Sequence, residues 1–191
     1  GTGNTISNYG NTGTFSSYAN VSGTVYGILV RNTRNINVQY NSITSSNTTG
    51  ALTSSGTLRG IYVPSFSVAP TGTNSQVISN NTISVTTGVA TGTLHGISVE
   101  ATTGNATTSL TINTNTFQNC GHNVASPSGT TIFIISAMAN LNTTINNNVF
   151  SNLSTPSTGS VTFISNSITI PANGTQTIQA NAINTAFNKT G

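Results

Sequence analysis

Charge is what this sequence has least of. Only 3% of its 191 residues are charged, with four Lys and Arg and one Asp or Glu, where an ordinary soluble domain carries about 25%. The single carboxylate, Glu100, excludes chemistry that needs two: acid and base catalysis on sugars by paired carboxylates, or a calcium site with several acidic ligands. The four cations, Arg31, Arg34, Arg59 and Lys189, give a formal net charge of +3. They are scattered, whereas a nucleic-acid face neutralises several phosphates together. Cys120 is the one cysteine, so no internal disulfide can form and stability must come from packing and backbone hydrogen bonds. No apolar run reaches the roughly 18 residues of a membrane helix, and no window sustains the i, i+3, i+4, i+7 apolar spacing of an amphipathic helix. The chain also lacks the charged-then-apolar opening of a signal peptide, so Gly1 reads as the interior of a longer chain.

What is present is Ser, Thr, Asn and Gly, punctuated by regularly placed aliphatics. One signature is Gly-Thr-x-x-Gly-Ile-x-Val, at Gly23–Val30, Gly56–Val63 and Gly92–Val99, with weaker copies from Gly129 and Gly159. Its starts are 33, 36, 37 and 30 residues apart, within the period of solenoid repeats. A second signature interleaves with it: an aliphatic, two spacers, Asn, one spacer, then Ile or Phe. It occurs at Val38/Asn41/Ile43, Ile78/Asn81/Ile83, Ile112/Asn115/Phe117, Ile145/Asn148/Phe150 and Ile178/Asn181/Ile183, after a truncated Asn4/Ile6 copy.

Inside each signature apolar and polar residues alternate, as in Ile36-Asn37-Val38-Gln39, and Ile, Val, Thr and Phe suit a pleated, half-buried surface. The spacing therefore predicts short strands, stacked coil on coil at about 4.8 Å. Stacking would put Asn41, Asn81, Asn115, Asn148 and Asn181 above one another with their amides joined in a ladder. Apolar columns would flank it at Val38/Ile78/Ile112/Ile145/Ile178 and Ile43/Ile83/Phe117/Phe150/Ile183. Because Asn tolerates a left-handed backbone, each ladder Asn is expected to turn the chain itself.

These residues resemble the coil of the right-handed parallel β-helix, the pectate-lyase-like superfamily, and the resemblance covers essentially all 191 residues. It implies an all-β, single-stranded right-handed solenoid over 1–191, of about five to six coils of 30–40 residues with three short strands each. The polar, almost uncharged composition and the variable loops are most similar to segments of very large surface adhesins exported by type IX secretion. Catalytic members of the superfamily carry clustered Asp, Lys and Arg on one face. No position here matches them, so the resemblance implies no enzymatic activity, catalytic residue or cofactor.

Two constellations remain. Cys120 and His122 could be a nucleophile with its base or half of a metal site; Cys120 also lies five past Asn115, where other coils have Leu153 and Ala186, and reads more simply as a small core residue. Tyr26, Arg59 and His95 occupy one column on successive coils, with Tyr62 beside it. They are the candidate ligand-binding strip for a glycan or another protein, against the plainer reading of a solvent-facing ladder. Outward files of Thr111, Thr144, Thr177 and of Asn113, Asn146, Gln179 raise ice binding, a weaker reading because one file is amide. The sequence thus predicts a non-catalytic structural or adhesive segment of a secreted, extracellular surface protein or filament, whose partners are neighbouring repeats of the same or an identical chain. A carbohydrate-binding module is the alternative; ice binding or polysaccharide degradation ranks below both.

Overall fold

The computed structural model describes residues 2–9, 24–31, 35–45, 57–64, 72–100, 105–155, 157–185 and 187–189. Gly1, Gly23, Arg34, Gly56 and Ala186, used above, lie outside them. The chain begins with β1 (Thr5–Tyr9), and then runs through β2 (Val25–Leu29), β3 (Ile36–Gln39) and β4 (Ser42–Ser45). The next coil holds β5 (Leu58–Val63), β6 (Asn74–Ser79), β7 (Thr82–Ser84) and the short β8 (Thr86–Thr87). After it come β9 (Leu94–Val99), β10 (Asn105–Asn113), β11 (Thr116–Gln118) and β12 (Gly121–His122), then β13 (Thr131–Ser136), β14 (Asn140–Asn146), β15 (Val149–Ser151) and β16 (Ser154–Thr155). The last coil comprises β17 (Val161–Asn166), β18 (Thr175–Gln179), β19 (Ala182–Ile183) and β20 (Asn188–Lys189).

Each coil contributes one strand to each of three walls, and every pairing is parallel: β2-β5-β9-β13-β17, β3-β6-β10-β14-β18 and β1-β4-β7-β11-β15-β19. The fold is an all-β parallel solenoid. All three walls coexist for five rungs, which is four rung-to-rung turns. That is slightly shorter than the five to six coils expected, because the sixth rung, β1, has a counterpart on one wall alone. The fourth strand of each later coil, β8, β12, β16 and β20, carries no repeated motif and was not anticipated; these pair only as β8–β12 and β16–β20. No helix occurs among the described residues, and so none is long and apolar enough to cross a membrane.

Both predicted apolar columns are in register. Ile112 pairs with Ile78 and Ile145, while Phe117 pairs with Ile83 and Phe150; Ile78, Ile83, Ile112, Phe117 and Ile145 are fully buried. Opposite the second column stand Gly27, Gly60 and Gly96. A Cβ on Gly96 would lie 2.5 Å from both the Phe117 ring and the Phe133 carbonyl oxygen, so the large residue on one wall requires none on the other. In the later coils Phe133 and Phe163 take over the glycine position and stack at 5.4 Å between ring centroids, with Phe150 packed against both. The Gly-Thr glycines have a similar reason: a Cβ on Gly129 would meet the Gly92 carbonyl oxygen at 2.0 Å, and one on Gly159 the Gly129 oxygen at 2.0 Å.

The asparagine ladder is continuous. Side-chain Nδ2 groups donate to the next Oδ1 from Asn41 to Asn81 (2.9 Å), Asn81 to Asn115 (2.9 Å), Asn115 to Asn148 (3.0 Å) and Asn148 to Asn181 (2.9 Å). Asn4 extends it by donating to Asn41 at 3.2 Å. Each Oδ1 also accepts the backbone N–H of the preceding ladder residue, for instance Asn115 N to Asn148 Oδ1 at 3.1 Å. The second Nδ2 hydrogen goes to a backbone carbonyl one coil back, as from Asn115 to Ile78 at 2.9 Å. An interior amide is thereby fully satisfied, two bonds donated and two accepted, which makes burial at 0% exposure for Asn115 and Asn148 affordable.

One expectation is corrected. The left-handed residue is not the ladder Asn but the one before it: Tyr40, Asn80, Thr114, Asn147 and Ala180, with φ between 52° and 60°. The turn made there is what aims the following amide along the stacking axis, so the conformational strain falls on an outward residue and the Asn is selected for its hydrogen bonds.

Truncating Asn115 to Ala strands the Asn81 N–H and Nδ2 donors and the Ile78 carbonyl in the interior. At about 1–3 kcal/mol per stranded group, the loss of unfolding free energy should reach about 3 kcal/mol or more, against less than about 1 kcal/mol for Asn4→Ala at the exposed end; equal losses in chemical denaturation would contradict the ladder. Ile145→Ala should cost about 2–5 kcal/mol and the neighbouring outward Thr144→Ala under about 0.5 kcal/mol, measured the same way.

Candidate functional site

The predicted strip assembles on the outer face of the first wall. Tyr26 on β2, Arg59 on β5 and His95 on β9 are register partners. Tyr62 joins them although it is three residues from Arg59, because Gly60 and Ile61 both face inward: a Gly60 Cβ would approach Ile83, and Ile61 is fully buried. This change of phase puts Arg59 and Tyr62 on the same outer surface. The Arg59 guanidinium carbon lies 4.0 Å from the Tyr62 ring centroid, and Tyr62 stacks on Tyr26 at 5.3 Å with planes 11° apart. The interior supports this rung as well, since the Tyr9 hydroxyl donates to the Arg59 carbonyl at 3.0 Å.

The strip is not a solvent-facing ladder. Arg59 is 9% exposed and His95 7%. A cation this deep needs a partner, and it has one: Glu100, just beyond β9, accepts from Arg59 Nη2 at 3.2 and 3.3 Å. Ser98 donates its hydroxyl to the same carboxylate. His95 Nδ1 stands 3.6 Å from Glu100 Oε1 and 3.4 Å from the Ser98 hydroxyl. Burial pulls the Glu100 pKa upward, but the Ser98 hydrogen bond and the Arg59 charge outweigh it and hold the carboxyl below its ordinary range. Burial, helped by Arg59, lowers His95 to about 4, so its ring is uncharged at neutral pH. Burial, with the Glu100 charge, raises the Tyr62 phenol.

The structure brings the expected Tyr26, Arg59, Tyr62 and His95 together and adds Ser98 and Glu100, neither of which is singled out for the strip from the sequence. A signal for both existed. Ser98 falls in the Tyr62 column, and Glu100 lies two residues further along the same face. With Glu100 included, the carboxylate is bound to the buried Arg59, and the Tyr62 ring is engaged by Tyr26 and Arg59.

Cys120 and His122 are each held by backbone groups. Cys120 belongs to the core with Val85 and Leu153; its thiol donates to the Ile83 carbonyl at 3.3 Å, accepts from Val85 N at 3.4 Å, and is pushed up to about 12 by burial. His122 Nε2 is 2.9 Å from the Gly92 carbonyl, which fixes its proton there. Both residues line a shallow groove of about 270 Å³ with Thr86, Asn119 and Asn152. Among the described residues no three His, Cys, Asp or Glu side chains gather as a metal site would require. The Thr111/Thr144/Thr177 and Asn113/Asn146/Gln179 files are in register, as expected, on the half-exposed face of the second wall.

No protein-family model, curated protein or solved structure matches this chain.

Burial of the Cys120 thiol makes a chemical prediction. It should resist a water-soluble disulfide reagent at neutral pH in the folded protein and react fully once the protein is unfolded in denaturant; fast reaction of the native protein would contradict its place in the core.

Proposed function

We propose that this chain is a non-catalytic structural segment of a secreted, extracellular surface protein or filament, similar in role to the shafts of large bacterial adhesins. The observation that carries the reading is the continuity of the ladder and the columns beside it, which tie every coil to the next through buried hydrogen bonds and apolar contact. Such a solenoid resists extension along its axis because every rung must give up several bonds at once. The chemistry of the strip supports the same reading. Its ionic groups are spent on one another, and a self-neutralised cluster stiffens a wall without offering a free nucleophile or base.

The last rung supports neighbouring rungs as partners. Ile178 and Ile183, members of the two apolar columns, are 46% and 52% exposed there, where their counterparts one coil back, Ile145 and Phe150, are 0% and 2% exposed. Another rung, of the same or an identical chain, would cover them. The carbohydrate-binding alternative would use Tyr26, Arg59, Tyr62 and His95, and it loses ground because Tyr62 and Arg59 already engage each other and their neighbours.

A glycan array combined with electron microscopy separates the readings. A structural segment gives no saturable glycan signal and rod-like particles or end-to-end assemblies. Saturable binding that disappears in Arg59→Ala would replace this reading with the binding module.

A further inference from the structure

We infer that Glu100, Arg59, Ser98 and His95 form an acid-released latch that closes the outer face of the second and third coils. The inference goes beyond the structural role and does not depend on it. The groups that meet at the latch are Arg59 and Tyr62 from β5, His95 and Ser98 from β9, Tyr26 from β2, and Glu100 beyond the end of β9. Only one of them carries negative charge. Glu100 is also the sole carboxylate side chain in the sequence, so nothing else nearby can take its place.

At neutral pH the latch is balanced: one guanidinium, one carboxylate and an uncharged imidazole. Acid changes both ends of that balance in the same direction. Protonating Glu100 removes the partner of a guanidinium whose side chain is only 11% exposed, and Arg59 Nε has no hydrogen bond of its own to fall back on. Protonating His95 sets a second cation beside Arg59, its register partner on the adjoining rung. Two buried like charges about one strand spacing apart, with no anion between them, are unfavourable until one side chain turns out to water. Either movement takes Arg59 off the Tyr62 ring and exposes the aromatic strip.

The pH window follows from the two shifts. His95 is held at about 4, below its ordinary 6.5, so as the pH falls the opened state takes up its proton first. The stability of the closed form is therefore complete above about 6.5 and declines towards 4. Glu100 is held below its ordinary 4.5; its contribution is present above that value and is lost as the pH falls through the folded one. The losses follow one another, so the latch weakens from mildly acidic pH and is open in strong acid.

Residue-resolved amide hydrogen exchange, corrected for intrinsic rates, tests this at about pH 7 and about pH 4. Protection should fall by roughly one to two orders of magnitude across Leu58–Val63 and Leu94–Val99, while the turns at Asn115 and Asn148 keep theirs. His95→Gln should remove most of the acid response, and Glu100→Gln should open the same two strands already at neutral pH. If Glu100→Gln does not fold, the His95→Gln comparison decides. A uniform fall along all coils, no fall in the two strands, or an unchanged acid response in His95→Gln would overturn the latch.

Discussion

An amide buried in a protein interior is costly unless all of its donors and acceptors are used, and the rest of this fold depends on how the chain meets that constraint. A single Asn side chain has two hydrogens to donate and room to accept two. Stacked at one position per coil, the ladder residues supply each other: Asn81, for example, gives to Asn115 and to the Val38 carbonyl and accepts twice from Asn41. The arrangement works only if coils lie one rung apart and in register, because a slip of one residue turns every side chain to the opposite face. The ladder therefore fixes register, and the apolar columns beside it supply the favourable free energy that makes stacking worthwhile.

Packing across the solenoid obeys a second rule, that the space between facing walls must be filled but not overfilled. In the early coils the pair is glycine against isoleucine, with Tyr9 filling the remaining volume near Gly27. In the later coils it is phenylalanine against phenylalanine, and Phe117, Phe133, Phe150, Phe163 and Phe187 form a connected aromatic series. The two solutions meet at Gly96, which gives way to Phe117 from one side and borders Phe133 on the next rung. The weak match of the Gly129 and Gly159 repeats to the Gly-Ile motif has this cause: Phe133 and Phe163 stand where the motif has glycine.

The wall strands, their register and the members of the ladder were legible in the sequence because each is a consequence of periodicity. Ile112, Ile145 and Phe150 recur at a fixed offset from an Asn, and a two-residue alternation assigns them inward. What periodicity could not reveal lay in single residues. The turn before each Asn is made by Tyr, Asn, Thr, Asn and Ala in succession, so no common residue type marked it. The burial of Arg59 and His95 depends on one carboxylate at Glu100, which appears in a single coil and belongs to no repeat. The alternation rule also places Arg59 and Tyr62 on opposite faces, and only the phase change at Gly60 and Ile61 unites them. The short strands β8, β12, β16 and β20 have different sequences in each coil, and thus left no pattern to read.

The joined amides themselves can be observed directly. Hydrogen exchange of side-chain amide protons, followed by nuclear magnetic resonance with residue-specific assignment, compares Asn81, Asn115 and Asn148 with the outward Asn37 and Asn142. Both Nδ2 protons of the three ladder residues should persist long after those of Asn37 and Asn142 have exchanged. Side-chain amides that all exchange alike, at the rate of an exposed group, would contradict a buried ladder and the coil stacking built upon it.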